Sequence, residues 1–173
     1  SIDTAVISSN FIYDTVCMAA EAGFTEMLFV GHIGKLVKVA GGIRNTHSRY
    51  GDHRMEILGQ IAEETLPKSG KGSGRADAGE SAEEGKKAAG DLRAALADCV
   101  TTDDAVRVLR ERGMDGPVLA EMTRRIRAVM QAWTGGKMQV ETIVFSNAYG
   151  ELGRTEGALE YIRRLRAEAA GLS

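Results

Sequence analysis

The sequence predicts an α/β fold, with a mainly parallel, Rossmann-like sheet covered by helices and a helical segment between the early strands and the last one. Three observations carry this expectation. Apolar runs of strand length, Ala5-Val6-Ile7-Ser8 and Met27-Leu28-Phe29-Val30, alternate with segments whose apolar residues recur at helical spacing. Alternation at this spacing implies parallel pairing with helices on the sheet faces. A third strand-like run, Gln139 to Ser146, arrives only after a long helical stretch.

The first helix has Phe11, Ile12, Val16, Met18, Ala19 and Ala20 as its apolar face, can be capped by Ser9 or Asn10, and is closed by Gly23. Strand Met27 to Val30 then runs into a glycine turn, Gly31-His32-Ile33-Gly34-Lys35, and a helix from about Gly34 to Ala40. Residues 41–51 read as irregular, and Asp52 to about Thr65 as a helix with Met55, Ile57, Leu58 and Ile61 inside. Pro67 to Lys87 is rich in glycine, serine and alternating charge, and reads as a flexible linker or loop. Beyond it the pattern gives helices over 88–97, 103–111 (capped by Thr101 or Thr102) and about 117–133. The strand 139–146 and a closing helix over 156–169 follow. The expected organisation is a strand-helix-strand-helix core over 1–66, a linker over 67–87, and helices with the closing strand of the same domain over 88–173.

At 173 residues the chain has the length of one ordinary domain. A formal net charge of -2 is too small to drive non-specific binding to nucleic acid or an anionic membrane. Cys17 and Cys99 stand far apart in apolar helical patterns, so they make neither a disulfide framework nor a CxxC metal pair. No apolar run reaches membrane-spanning length and no signal-peptide pattern opens the chain, which points to a cytoplasmic protein. The chain opens at Ser1 with a strand-like run already under way, and the expectation is a piece of a longer protein.

In open α/β sheets ligands bind beyond the carboxyl ends of the strands. That rule puts Asn10, Gly31, His32 and Gly34 on one rim. Gly31-x-x-Gly34-Lys35 is no phosphate loop, because Phe29 stands where that motif needs glycine and Leu36 where it needs serine or threonine. It also fails the dinucleotide fingerprint. His32, His47 and His53 lack the spacing of a zinc helix, so no metal is expected, and His32 and His47 read as hydrogen-bonding groups. His53 reads as a solvated first-turn residue. Lys35, Lys38, Arg44, Arg49 and Arg54 crowd positive charge, with Asp52 the sole acid before Glu56. Such a run is a solvated face or a seat for a polyanionic small molecule.

Several of these motifs, taken in order, carry a resemblance. Asn10-Phe11-Ile12, Ala22-Gly23-Phe24, Val30-Gly31-His32-Ile33-Gly34-Lys35-Leu36-Val37-Lys38, Gly42-Ile43, Asn45-Thr46-His47-Ser48, and Asp52 with Arg54-Met55-Glu56-Ile57-Leu58 resemble the C-terminal half of the cobalt-precorrin-5B C1-methyltransferases, the CbiD family. Phe145-Ser146-Asn147 and Tyr149 to Arg154 resemble that family's closing strand and turn. Tyr13 departs from the pattern, which has glycine there.

The resemblance implies transfer of a methyl group from S-adenosylmethionine to C1 of a cobalt-bearing tetrapyrrole in anaerobic cobalamin biosynthesis. It also implies that an N-terminal half of the family's chain is missing here. The acetate and propionate arms of such a substrate give Lys35, Lys38 and Arg44 something to bind. Asn45, Thr46 and His47 enter the candidate binding set through the matched motif, and the contact to the donor's ribose falls to Glu141, Glu151 or the missing half, of which Glu151 joins the set. No catalytic nucleophile is expected, because the sulfonium donor is already activated and the protein's task is positioning. The residues alone also admit a non-catalytic tetrapyrrole- or nucleotide-binding module, and they leave a homo-oligomer open.

Overall fold

A computed structural model describes residues 5–47, 49, 51–66 and 78–171. In chain order the elements are α1 (Ile12–Glu21), β1 (Glu26–His32), α2 (Ile33–Ala40), α3 (Arg54–Thr65), α4 (Ala78–Ala97), α5 (Thr102–Glu111), α6 (Asp115–Trp133), β2 (Gln139–Ser146), β3 (Gly150–Arg154) and α7 (Ala158–Gly171). The fold is α/β, as the alternating patterns predict.

The sheet differs from the expected one. It has three strands in the order β1-β2-β3 and is mixed: β1 and β2 are parallel, β2 and β3 antiparallel. The short connection Asn147-Ala148-Tyr149 is the reason, since only an antiparallel neighbour can be reached without a crossover. The stretch 150–154, read as a turn, is therefore strand β3. Ala5 to Ser8 is not a strand. Val6 and Ile7 are 82% and 91% exposed, and β-branched residues do not make a strand without a partner edge. Residues 78–87, expected within the linker, belong to α4, whose Ala89, Leu92 and Leu96 are buried. Glu63 and Arg93 pair across α3 and α4 at 2.9 Å. The remainder of that linker, 67–77, lies outside the described residues.

Gly31 also has a different use from the one expected. It lies inside β1, which passes directly into α2 without an intervening loop. A Cβ on Gly31 would stand 2.9 Å from Leu36 Cδ1, so the missing side chain lets the strand lie against the helix it feeds. In register with Gly31 are Val144 and then Gly153, where a Cβ would meet Thr123 Oγ1 of α6 at 2.6 Å. This face of the sheet therefore packs on α2 and α6. Their Ile33, Leu36, Val37, Met122, Ile126 and Met130 are fully buried, together with Leu58 and Ile61 of α3 and Leu109 of α5. Helix α5 starts at a capping box in which Thr101 Oγ1 accepts from Asp104 N at 3.0 Å and Asp104 accepts from Thr101 N at 3.1 Å.

On the opposite face α7 packs against β2 and holds the amino end of β1 through the paired contacts of Arg164 with Glu26 at 3.0 and 2.6 Å. No residue of β1 is fully buried, and Val30, near its carboxyl end, is 54% exposed. The carboxyl rim of that face is open.

Candidate functional site

The rim begins at the last residue of β1. His32 has extended dihedrals (φ -72, ψ 137) and caps α2: its Nδ1 accepts a hydrogen bond from Gly34 N at 3.1 Å. With Nδ1 accepting, the proton of the neutral ring sits on Nε2. The ring packs edge-on against Phe145, with centroids 5.6 Å apart. Phe145 is the register partner of His32 on one side and of Glu151 on the other, with a bulge between Val144 and Phe145. His32, Phe145 and Glu151 thus form a row across all three strands on the open face. Glu151 is exposed and pairs with Arg154 at 3.0 Å.

A Cβ on Gly34 would lie 3.2 Å from His32 Nδ1 and 3.7 Å from Arg54 Nη1. Glycine here lets the capping imidazole fold back over the helix start, and brings the Arg54 guanidinium to the same point. Asp52 holds that guanidinium, through Nε at 2.6 Å and through a second contact at Nη2. In return the Arg54 hydrogen bond pulls the Asp52 carboxyl down to about 2. With Lys35 in the first turn of α2, the junction gathers two cations and a helix N-terminus, all of which favour an anion.

From α2 the chain doubles back along the helix. Lys38, expected to offer its charge to a ligand, lies instead beneath this return segment and is 4% exposed. Its ammonium donates to Gly51 O at 3.0 Å and to Thr46 O at 3.5 Å. Thr46, also buried, donates through Oγ1 to Asn10 O at 3.4 Å, tying the segment to the start of α1. Asn45 Oδ1 accepts from His47 N, and His47 Nδ1 from Arg49 N, both at 3.1 Å, so these exposed side chains shape the loop. His53 is exposed and contacts Glu56 at 3.1 Å, in keeping with a solvated first-turn residue. Arg44 lies over the Tyr13 ring at 4.5 Å, and Tyr13 meets Trp133 edge-on at 5.2 Å.

The structure therefore gathers Gly31, His32, Gly34 and Lys35 at one junction, with Glu151 joined to it by strand register. It gathers Asn10, Lys38, Arg44, Asn45, Thr46 and His47 along the return segment, and Arg54 links the two groups. Phe145, Tyr13 and Trp133 stand outside the candidate set drawn from the sequence, and Asp52 and Arg54 figure there only as members of the basic run and the matched motif; Tyr13 and Trp133 give no local signal. Two surface grooves, of about 310 Å³ by Phe24 and Leu165 and about 500 Å³ by Pro117 and Arg124, contain no residue of the junction. Among the described residues no three His, Cys, Asp or Glu side chains converge as a metal site, and no helix is long and apolar enough to cross a membrane.

Residues 82–156 match the family model described as CbiD, C-terminal domain. The chain is 31% identical over 180 residues to a cobalt-precorrin-5B C(1)-methyltransferase of Ruminiclostridium cellulolyticum, covering 97% of this chain and 40% of that relative. The chain matches a fragment of the CbiD family. A methyltransferase of the same name from Methanocaldococcus jannaschii is 28% identical over 87% of this chain and 35% of its own length. A cobalt-precorrin-5B C(1)-methyltransferase from Thermoanaerobacter sp. is 55% identical over 49 residues, 28% of this chain and 13% of that protein. The chain thus spans about two fifths of the length of the first of these relatives. No solved structure matches the chain.

Proposed function

We propose that this chain forms one wall of a methyltransferase site that takes a methyl group from S-adenosylmethionine and places it on C1 of cobalt-precorrin-5B, in cobalamin biosynthesis. The observation that carries the reading is the similarity to a protein of that name along 97% of this chain. The remaining wall would come from the portion that the relatives carry beyond the matched segment.

The residues at the rim fit a methyl donor with both a charged amino-acid end and a ribose. Glu151 is the one candidate carboxylate in the row with His32 and Phe145, and it would accept from ribose hydroxyls. His32 would donate from Nε2, while Phe145 offers an apolar surface beside it. Lys35 in the first turn of α2 and Arg54, the first residue of α3, would face a carboxylate. The donor supplies a methyl group already activated on a sulfonium, so these residues orient partners and exclude water, and none is required as a nucleophile. The junction is open to solvent, and an open wall forfeits most of the advantage of holding two reactants in line.

The test compares this chain alone with this chain plus the complementary N-terminal portion of the Ruminiclostridium cellulolyticum relative, each incubated with methyl-labelled S-adenosylmethionine and cobalt-precorrin-5B. Label should enter the ring only in the combined sample. Transfer by the 173-residue chain alone at the rate of the full-length relative would mean that the site lies elsewhere. Absence of transfer in both samples, with the relative active, would leave the binding-module reading in its place.

A further inference from the structure

We propose that Arg44, mounted on Tyr13 and Trp133, is a preformed seat for a carboxylate arm of the ligand. The proposal rests on the reading of that ligand as a polycarboxylated tetrapyrrole, and adds the place and the means by which one arm is held. The guanidinium lies over the Tyr13 ring at 4.5 Å, and Tyr13 is fixed in turn by the edge-on ring of Trp133 at 5.2 Å. One turn further along α1, Cys17 Sγ lies 3.7 Å from Trp133 O, so α1 and the end of α6 are joined at the foot of the stack. The bond from Thr46 Oγ1 to Asn10 O ties the segment bearing Arg44 to the helix bearing Tyr13.

What sets Arg44 apart from Arg110 and Arg164, which also lie over tyrosine rings, is that no carboxylate of the described residues pairs with it. Arg93, Arg125, Arg154 and Arg164 each have a carboxylate partner, and Arg110, which also lies over a tyrosine, pairs with Asp115 at 3.5 Å. Among the described residues Arg44 has none within salt-bridge reach, and its side chain is exposed. A guanidinium stacked on a ring keeps its in-plane N–H groups clear, and these match the two oxygens of a carboxylate. Because the stack already limits its rotamers, less freedom is lost when the arm arrives.

The sequence contains a single tryptophan, Trp133, which makes its fluorescence a local report on this stack. The probe is uroporphyrin, an octacarboxylate tetrapyrrole, titrated into the 173-residue chain and followed by both Trp133 quenching and the porphyrin absorbance band. Arg44→Ala should weaken binding about tenfold and Arg44→Lys nearly as much, because lysine keeps the charge and loses the fork. Tyr13→Phe, which preserves the ring, should bind as the parent does. Tyr13→Ala should weaken binding several-fold in the absorbance channel. Arg112→Ala is the charge-matched control and should leave the affinity unchanged. A cationic pyridyl-substituted porphyrin should not bind at this site. Equal affinity in parent and Arg44→Ala, an Arg112→Ala loss as large as that of Arg44→Ala, or equally tight binding of the cationic ring would overturn the proposal. The methyl-transfer test has a separate readout: the seat can stand where transfer fails, and it can fail where transfer persists.

Discussion

His32 Nδ1 accepts the amide of Gly34 across 3.1 Å, and the space for that bond exists because residue 34 has no side chain. Removing either partner should be felt at the start of α2. His32→Ala should cost about 1 kcal/mol, the usual value of a lost N-cap, while His32→Asn, which caps well, should recover most of it. Urea denaturation of the three proteins gives the comparison. An Ala variant as stable as the parent would show that the cap contributes nothing.

Lys38 should behave as a structural cation. Replacing it by methionine keeps the aliphatic stem but leaves the Gly51 and Thr46 carbonyls without their donor, at a cost of roughly 1–3 kcal/mol. Limited proteolysis should then cut between Gly41 and Gly51 faster than in the parent. Lys35→Met, in the half-buried first turn of the same helix and without a hydrogen bond to the described residues, should leave both stability and cutting rate nearly unchanged.

Acid should weaken the ion pairs of Glu121 along α6 and the Glu64–Arg125 pair that joins α6 to α3. The hydrogen bond from Arg124, helped by Arg125, holds Glu121 down at about 2, and Arg125 likewise lowers Glu64. A carboxylate whose pKa is lower folded than unfolded stabilises the fold above its unfolded value, and that contribution is lost as pH falls through the folded one. Stability should therefore be steady above about pH 4.5 and decline toward pH 2, with Glu121 accounting for on the order of 1–2 kcal/mol after allowance for its partial exposure. In Glu121→Gln the urea midpoint should change less over this range. Parallel curves for the two proteins would remove Glu121 from the account.

Gly31 should tolerate no larger residue. Gly31→Val drives side-chain atoms into Leu36 and should destabilise by roughly 1–3 kcal/mol, the usual cost of overpacking. Leu36→Ala alone empties a fully buried site and should cost roughly 2–5 kcal/mol. The double variant should lose less than the two single losses combined, since each change relieves the other. Simple additivity in thermal denaturation would mean that the two positions do not share space.

Periodicity disclosed β1, β2 and the helices, because burial on one face leaves a repeat that can be read locally. It also placed Gly31 to Gly34 at the carboxyl end of β1. It failed at Ala5 to Ser8, whose composition suits a strand but which has no edge to pair with, and at β3, where Gly150 and Gly153 conceal a strand that is defined by its partner. The row His32, Phe145, Glu151 depends on register and on a bulge, and neither is written in spacing. The Arg44, Tyr13 and Trp133 stack joins residues distant along the chain through tertiary packing alone. Lys38 misled for a related reason: a lysine in a basic run looks like surface charge, and only the path of the returning segment shows its ammonium to be enclosed.

Because β1 passes into α2 with no residue between His32 and Ile33, the junction has no slack. One residue inserted there would turn the helix by about 100° about its axis. Leu36 would swing away from Gly31, Lys38 would leave the carbonyls of the returning segment, and the imidazole would no longer meet the amide it caps. Chain length at this point is thus as strictly fixed as residue identity, and insertions and deletions should be accommodated only outside the span from Glu26 to Ala40.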